Sequence, residues 1–207
     1  MKSMCDIFRS YGVLDEQGRH VNGTDKQTNH NYGDAYESLF YGSKLVDVKV
    51  TNTRTEPMHE RTSKRDQVKL MMEVGVADGS SLCAWRDIFP NALCVGMDIH
   101  HSDKAHGDRI EFHYGDQCNK EHCERAAAGR QFDFIVEDAT HKLPNTFLTL
   151  FWLWPFVRPG GLYVVEEWEG ASGDRNRIRA LFPNVDIVGT SGPHIEDEPL
   201  IVLRKLL

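Results

Sequence analysis

The feature that most restricts the fold is an alternation, from Val68 onward, of short apolar runs with helical stretches. V-K-L-M-M-E-V (68–74), A-L-C-V-G-M-D (92–98), R-I-E-F-H-Y-G-D (109–116), F-D-F-I-V-E-D (132–138) and residues 162–167 each read as a strand covered on both faces. Helical spacing fills the intervals at 80–89, 119–130, 144–157 and 174–182, and two further strands are expected at 186–190 and 200–204. Strands and helices alternating at this spacing predict an α/β fold with a mostly parallel sheet and helices on both faces. In such a sheet the ligand crevice lies at the carboxyl ends of the strands. V-E-D-A-T-H (136–141) and V-V-E-E-W (164–168) both end there, so Asp138, Glu166 and Glu167 are expected to meet, with His141 three residues beyond Asp138. Carboxylates with a nearby imidazole can hold a hard cation and take a proton from a hydroxyl.

A length of 207 residues suits one domain with a sizeable core. We expect a single domain over 1–207: an N-terminal helical lid segment at 1–48, a charged loop at 49–67 and the α/β core at 68–207. The net charge of −7 speaks against nucleic acid, whose binding needs clustered Lys and Arg. The longest apolar stretch, 147–157, is cut by Pro155 and falls short of a membrane span, which needs roughly 20 residues. The start, M-K-S-M-C-D, lacks an apolar signal region, so a cytoplasmic location is the default expectation. Five cysteines without a C-x-x-C pair indicate neither a zinc ribbon nor a disulfide framework, and Cys83 and Cys94 are expected in the core.

Ahead of the alternation, residues 1–21 suggest a short helix leading into a loop. G-T-D-K-Q-T-N-H-N-Y-G-D-A-Y-E-S-L-F (23–40) begins polar and becomes helical, with Tyr32, Tyr36, Leu39 and Phe40 forming an aromatic stripe of the kind that packs on a core. Trp85, Trp152 and Trp154 are expected in the core as well.

E-V-G-V-A-D-G (73–79) joins a strand to a helix, where a glycine turn lets backbone approach a ligand. It departs from G-x-G-x-x-G at Ala77 and Ser80, which counts against a nicotinamide oxidoreductase. Asp98, at the tip of the second strand, is placed to accept hydrogen bonds from ribose hydroxyls, and Asp116 with Gln117 to read an adenine amino group.

This pattern resembles class I S-adenosylmethionine (SAM) methyltransferases. G-T-D-K, H-x-Y with a second Tyr, E-V-G-V-x-x-G-x-S-L-x-x-W-R-D-x-F-P-N-A, and D-A-T-H ahead of P-G-G-L-Y-V-V-E-E together resemble the metal-dependent O-methyltransferases that modify sugars. Those include macrolide-sugar and rhamnosyl O-methyltransferases, with CmcI-type proteins as relatives. The resemblance covers about 22–204 and implies a seven-stranded sheet of order 3-2-1-4-5-7-6 with the last strand antiparallel. It implies SAM as cofactor and a divalent metal, Mg²⁺ or else Mn²⁺, held by Asp138, Glu166 and Glu167, with His141 as general base beside Asp138. Glu73, Gly75, Gly79, Ser80, Asp98, Ile99, Asp116, Gln117, Thr24, Lys26 and Tyr32 would line the cofactor site, while His30, Tyr36 and Trp168 would face the acceptor. The chain departs from relatives that carry D-D-G-S-H where it has Glu137–His141, and E-D where it has Glu166-Glu167.

The implied reaction is methyl transfer to a sugar hydroxyl, on a 6-deoxyhexose such as rhamnose within a glycan or glycosylated metabolite. Vicinal hydroxyls suit a cation that keeps open positions, and an imidazole with an ordinary pKa near ~6.5 is neutral at pH 7 and free to take a proton. A catechol-type methyltransferase and a SAM-binding accessory protein without turnover remain as alternatives. Self-association, or membership in a larger glycan-assembly protein, stays open at this level.

Overall fold

The computed structural model describes residues 2–40, 64–170, 172–191 and 200–207. Most of the charged loop expected at 49–67, and the end of the lid segment after Phe40, lie outside the described residues.

The core is one seven-stranded sheet. Its strands are β3 (Leu70–Val74), β4 (Leu93–Asp98), β5 (Ile110–Tyr114), β6 (Phe132–Glu137), β7 (Val157–Val165), β8 (Val185–Ser191) and β9 (Leu200–Lys205). They lie in the order β5-β4-β3-β6-β7-β9-β8, which is 3-2-1-4-5-7-6 when β3 is counted as the first. Pairings from β5 through β7 are parallel, and β9 runs antiparallel to both β7 and β8. This is the class I Rossmann-like methyltransferase fold. The parallel strands deliver Gly75, Asp98, Asp138 and Glu167 to one edge.

Helices α1 (Met4–Tyr11), α2 (Tyr32–Phe40) and α3 (Ser80–Ile88) cover one face, and α4 (Lys120–Ala127), α5 (Leu143–Leu153) and α6 (Ser172–Leu181) the other. Helix α1 starts at Ser3, whose hydroxyl accepts from the Asp6 amide at 3.0 Å, and buries Met4, Ile7 and Phe8. The aromatic stripe of α2 does pack on the core: Tyr36 meets Trp85 edge-on at 4.8 Å, and Phe40 meets Phe134 at 5.2 Å. Such contacts add to area burial and lock the helix in one rotation.

Several expectations needed correction. Residues 12–23 are no simple loop but a small antiparallel hairpin, β1 (Gly12–Leu14) with β2 (His20–Gly23). Helix α5 ends at Leu153 because Pro155 cannot donate to the next turn, and a 3-10 turn (Trp154–Phe156) follows. R-P-G-G (158–161), ahead of the strand expected at 162–167, lies within β7, where Gly160 takes φ +77 beside a register shift against β6. Cys83 is only half-buried, its thiol directed at the Lys104 carbonyl, and Cys123 joins Cys94 in the interior instead. Trp152 is half-buried, whereas Trp85 and Trp154 are core.

Candidate active site

Strand pleating decides which acids meet. Glu73, Val136 and Val164 are lateral partners across β3, β6 and β7, so their side chains share a face. Two residues further along the same parity stand Asp138 and Glu166. All three carboxylates therefore project toward α1–α3, and there they surround one ammonium. Lys26 Nζ lies 2.7 Å from Asp138, 2.8 Å from Glu166 and 3.3 Å from Glu73, with no exposed surface. Burial by itself would lower its pKa, but the field of Asp138, Glu166 and Glu73 outweighs that and holds the ammonium well above the ordinary lysine range. Glu166 also accepts from the Tyr36 hydroxyl. Burial, then repulsion from Asp138, pushes Glu166 above the usual carboxylate range despite both donors.

Glu137 has the opposite parity and points into the α4–α6 side. It accepts from Gln117 Nε2 at 2.9 Å, and Gln117 Oε1 in turn accepts from the Thr140 amide at 3.2 Å. Burial pushes the Glu137 carboxyl up to about 7. Below pH about 4.5 the group is protonated in both states and costs nothing; between 4.5 and 7 only the unfolded chain releases the proton, so stability falls as pH rises. Glu137→Gln is expected to remove that decline, gaining up to roughly 3 kcal/mol relative to the parent between pH 5 and pH 8. Urea unfolding of both proteins at the two pH values measures it; parallel pH profiles would refute it.

A cavity of about 500 Å³ opens at the carboxyl edge of the sheet, the size of a nucleotide-like cofactor site. Its lining includes Thr24, Gly75, Asp98, Ile99, Asp116 and Gln117 together with Asp138, His141 and Glu167. Gly75 has φ +85, and a Cβ there would sit 2.1 Å from the Asp138 carbonyl, so only glycine lets β3 turn this close to the Asp138 loop. Asp98 accepts from the Val76 and Ala77 amides, each at 3.0 Å, and from the His100 amide at 2.8 Å. The acid at the strand tip thus shapes the glycine turn as well as facing the cavity.

Asp138, His141 and Glu167 each offer a ligand atom, and those atoms all lie within 4.8 Å of one another. His141 Nε2 is 3.3 Å from Glu167 and 4.0 Å from Asp138. His30 reaches the other oxygen of Glu167 at 3.6 Å. Donors around an octahedral Mg²⁺ at ~2.1 Å span about 3 to 4 Å, so the two carboxylates fit a small divalent ion with modest closure, with the imidazole beside it. The backbone here is strained in one direction: His141 (φ 55), Glu167 (φ 52) and Ala77 (φ 44) are left-handed without being glycine, and all three line the cavity. Such residues cost of order 1–3 kcal/mol each and gather where function holds them.

The remaining expected contacts fall elsewhere. Glu166 stays behind Asp138 on Lys26 and Tyr36, outside the cavity lining. Glu73 is sealed among Lys26, Ser81 and Trp85, and Ser80 bonds Asp78. Gly79 packs against the Ala105 backbone, which a Cβ would strike at 2.5 Å. Tyr32 is buried and stacked on His30, while Trp168 packs into the interior against Phe147. Gln117 lines the cavity, but its amide is engaged by Glu137, Thr149 and Thr140. Sequence reading missed Asp25 as a lining residue. Asp25, lying between Thr24 and Lys26 in G-T-D-K, was within reach of that motif.

No protein-family profile matches the chain. It is similar to the demethylmacrocin O-methyltransferase of Streptomyces fradiae, 34% identical over 144 residues that cover 63% of this chain and 36% of that protein. It is also similar to the 8-demethyl-8-alpha-L-rhamnosyl tetracenomycin-C 2'-O-methyltransferase of Streptomyces olivaceus, 27% identical over 176 residues, covering 77% and 41%. Among solved structures it superposes on the MycE methyltransferase from the mycinamycin biosynthetic pathway, in complex with Mg, SAH and mycinamycin VI. That match has a TM-score of 0.58 and 27% identity and covers 69% of this chain and 46% of MycE. The chain thus spans less than half the length of these relatives.

Proposed function

We propose that this chain, a relative of the sugar O-methyltransferases, is a SAM- and divalent-metal-dependent domain that methylates a hydroxyl of a 6-deoxyhexose in a glycan or glycosylated metabolite. The observation that carries the reading is the shared cavity, lined by the strand-tip acids Asp98 and Asp116 and by the cluster of Asp138, His141 and Glu167. When bound, SAM supplies the methyl group, and Mg²⁺ or Mn²⁺ lowers the pKa of the acceptor hydroxyl. Asp98 receives the ribose hydroxyls, and Thr24, Gly75 and Ile99 close around the nucleoside. Asp138 and Glu167 offer oxygen ligands from the cavity side, with Glu166 fixed behind them. His141 accepts the hydroxyl proton at Nε2, and Glu167 steadies the imidazolium that forms. The relative named for a rhamnosyl group supports the choice of acceptor.

The test is a panel of rhamnosides and other 6-deoxyhexosides beside catechols, incubated with SAM and Mg²⁺ and scored by mass. Methylated glycoside is expected. Methylated catechol alone would overturn the acceptor class, and SAH binding without any product would favour an accessory protein. At the cofactor end, Asp98→Ala is expected to weaken SAH binding about tenfold or more, since a hydrogen bond to a charged group contributes ~1.5–3 kcal/mol. An unchanged calorimetric affinity would refute the ribose contact.

A further inference from the structure

We propose that Lys26, which lies outside the cavity lining, is a positioning residue that sets Asp138 for the metal and fixes the N-terminal wall of the cavity. The inference rests on the reading that Asp138 and Glu167 hold a divalent ion.

Three observations carry it. An ammonium has three donors, and the three carboxylates around Lys26 come from three different strand ends, so the one cation ties β3, β6 and β7 together at the edge where the cavity opens. Its bond is to Asp138 Oδ2, and it is Oδ1 that lies toward His141. A carboxylate clamped through one oxygen presents the other in a fixed direction, as outer partners of metal ligands do. Lys26 also belongs to the segment that forms a wall. Thr24 and Asp25 line the cavity, Lys26 does not, and the Lys26 carbonyl accepts from the Tyr32 amide at 2.7 Å, which starts α2. The side chain therefore pins Gly23–Asp25 from behind.

Lys26→Met leaves the buried Glu73 and Glu166 and the half-buried Asp138 around no cation and is expected to lower the melting temperature. The informative variant is Lys26→Met/Glu73→Gln, which removes one charge of each sign at nearly constant volume; Lys26→Gln, retaining an amide donor, is read in parallel. Two measurements on the whole chain follow. Mn²⁺ alone, titrated by electron paramagnetic resonance, is expected to bind the double variant 10- to 100-fold more weakly than the parent even where its melting temperature recovers. Exchange of the Tyr32 amide is expected to be at least about tenfold faster. A purely structural lysine would lose neither property once charge balance and stability are restored. Affinity equal to the parent's would overturn the positioning role, and so would tighter binding, which would make the ammonium a competitor for Asp138. If the parent itself binds no Mn²⁺, the metal reading fails, and amide exchange decides the wall: faster exchange supports Lys26 as its pin, unchanged exchange refutes it.

Discussion

Exhaustive chelation is expected to abolish methyl transfer, with Mg²⁺ or Mn²⁺ restoring it and Zn²⁺ doing so poorly. A sugar hydroxyl is a weak nucleophile at neutral pH, and a Lewis acid contributes several kcal/mol to activating it. Asp138 and Glu167 supply hard oxygen donors, which suit Mg²⁺ and Mn²⁺. Zinc prefers nitrogen, and His141 Nε2 stands 3.3 Å from Glu167, so zinc would draw the imidazole into coordination and out of proton transfer. Turnover measured after EDTA treatment and after each metal is added back tests the order. Full activity in the chelated enzyme would leave the carboxylates an electrostatic role only.

His141→Ala is expected to lower kcat by about 10² or more while SAH affinity stays near that of the parent. Asp98 is held by the Val76, Ala77 and His100 amides, none of which depends on His141, so loss of the imidazole leaves the Asp98 contacts in place. Raising the pH should return part of the lost rate, because hydroxide then replaces the missing base. Asp138→Ala should differ, losing metal affinity and turnover together. A His141→Ala enzyme as fast as the parent from pH 6 to pH 9 would show that activation of the hydroxyl needs no side-chain base.

The strands and their carboxyl-edge acids were legible in the chain because burial on both faces leaves a period-free apolar run that few other elements produce, whereas the order of the strands came only from the family resemblance. Asp98, Asp138 and Glu167 could be placed from strand ends alone. What the residues did not reveal is where a long side chain goes after it leaves the backbone. Lys26 was expected at the cofactor site because it stands in the G-T-D-K motif, yet its four-carbon stem runs outside the cavity lining to Glu73 and Glu166. Trp168 looked like an acceptor wall because it follows the acids, but it turns into the interior beside Phe147. The hairpin at 12–23 escaped for another reason: Val13, Leu14 and Val21 are half-exposed, so no burial pattern marks it as strand.

Glu166 and Glu167 are neighbours in the chain and yet serve different purposes, one fastened to Lys26 and Tyr36, the other facing the cavity with His141. Chemically they are the same residue; what separates them is phase along β7. A deletion of any one residue among 162–165 would preserve every functional side chain in the sequence and still misassign them, sending Glu167 to the ammonium and presenting the Trp168 indole where a carboxylate had faced the cavity. The pair can therefore drift in chain length on the loop side far more freely than on the strand side, and an alignment that slides by one position here would exchange a fastening for a ligand without any visible loss of identity.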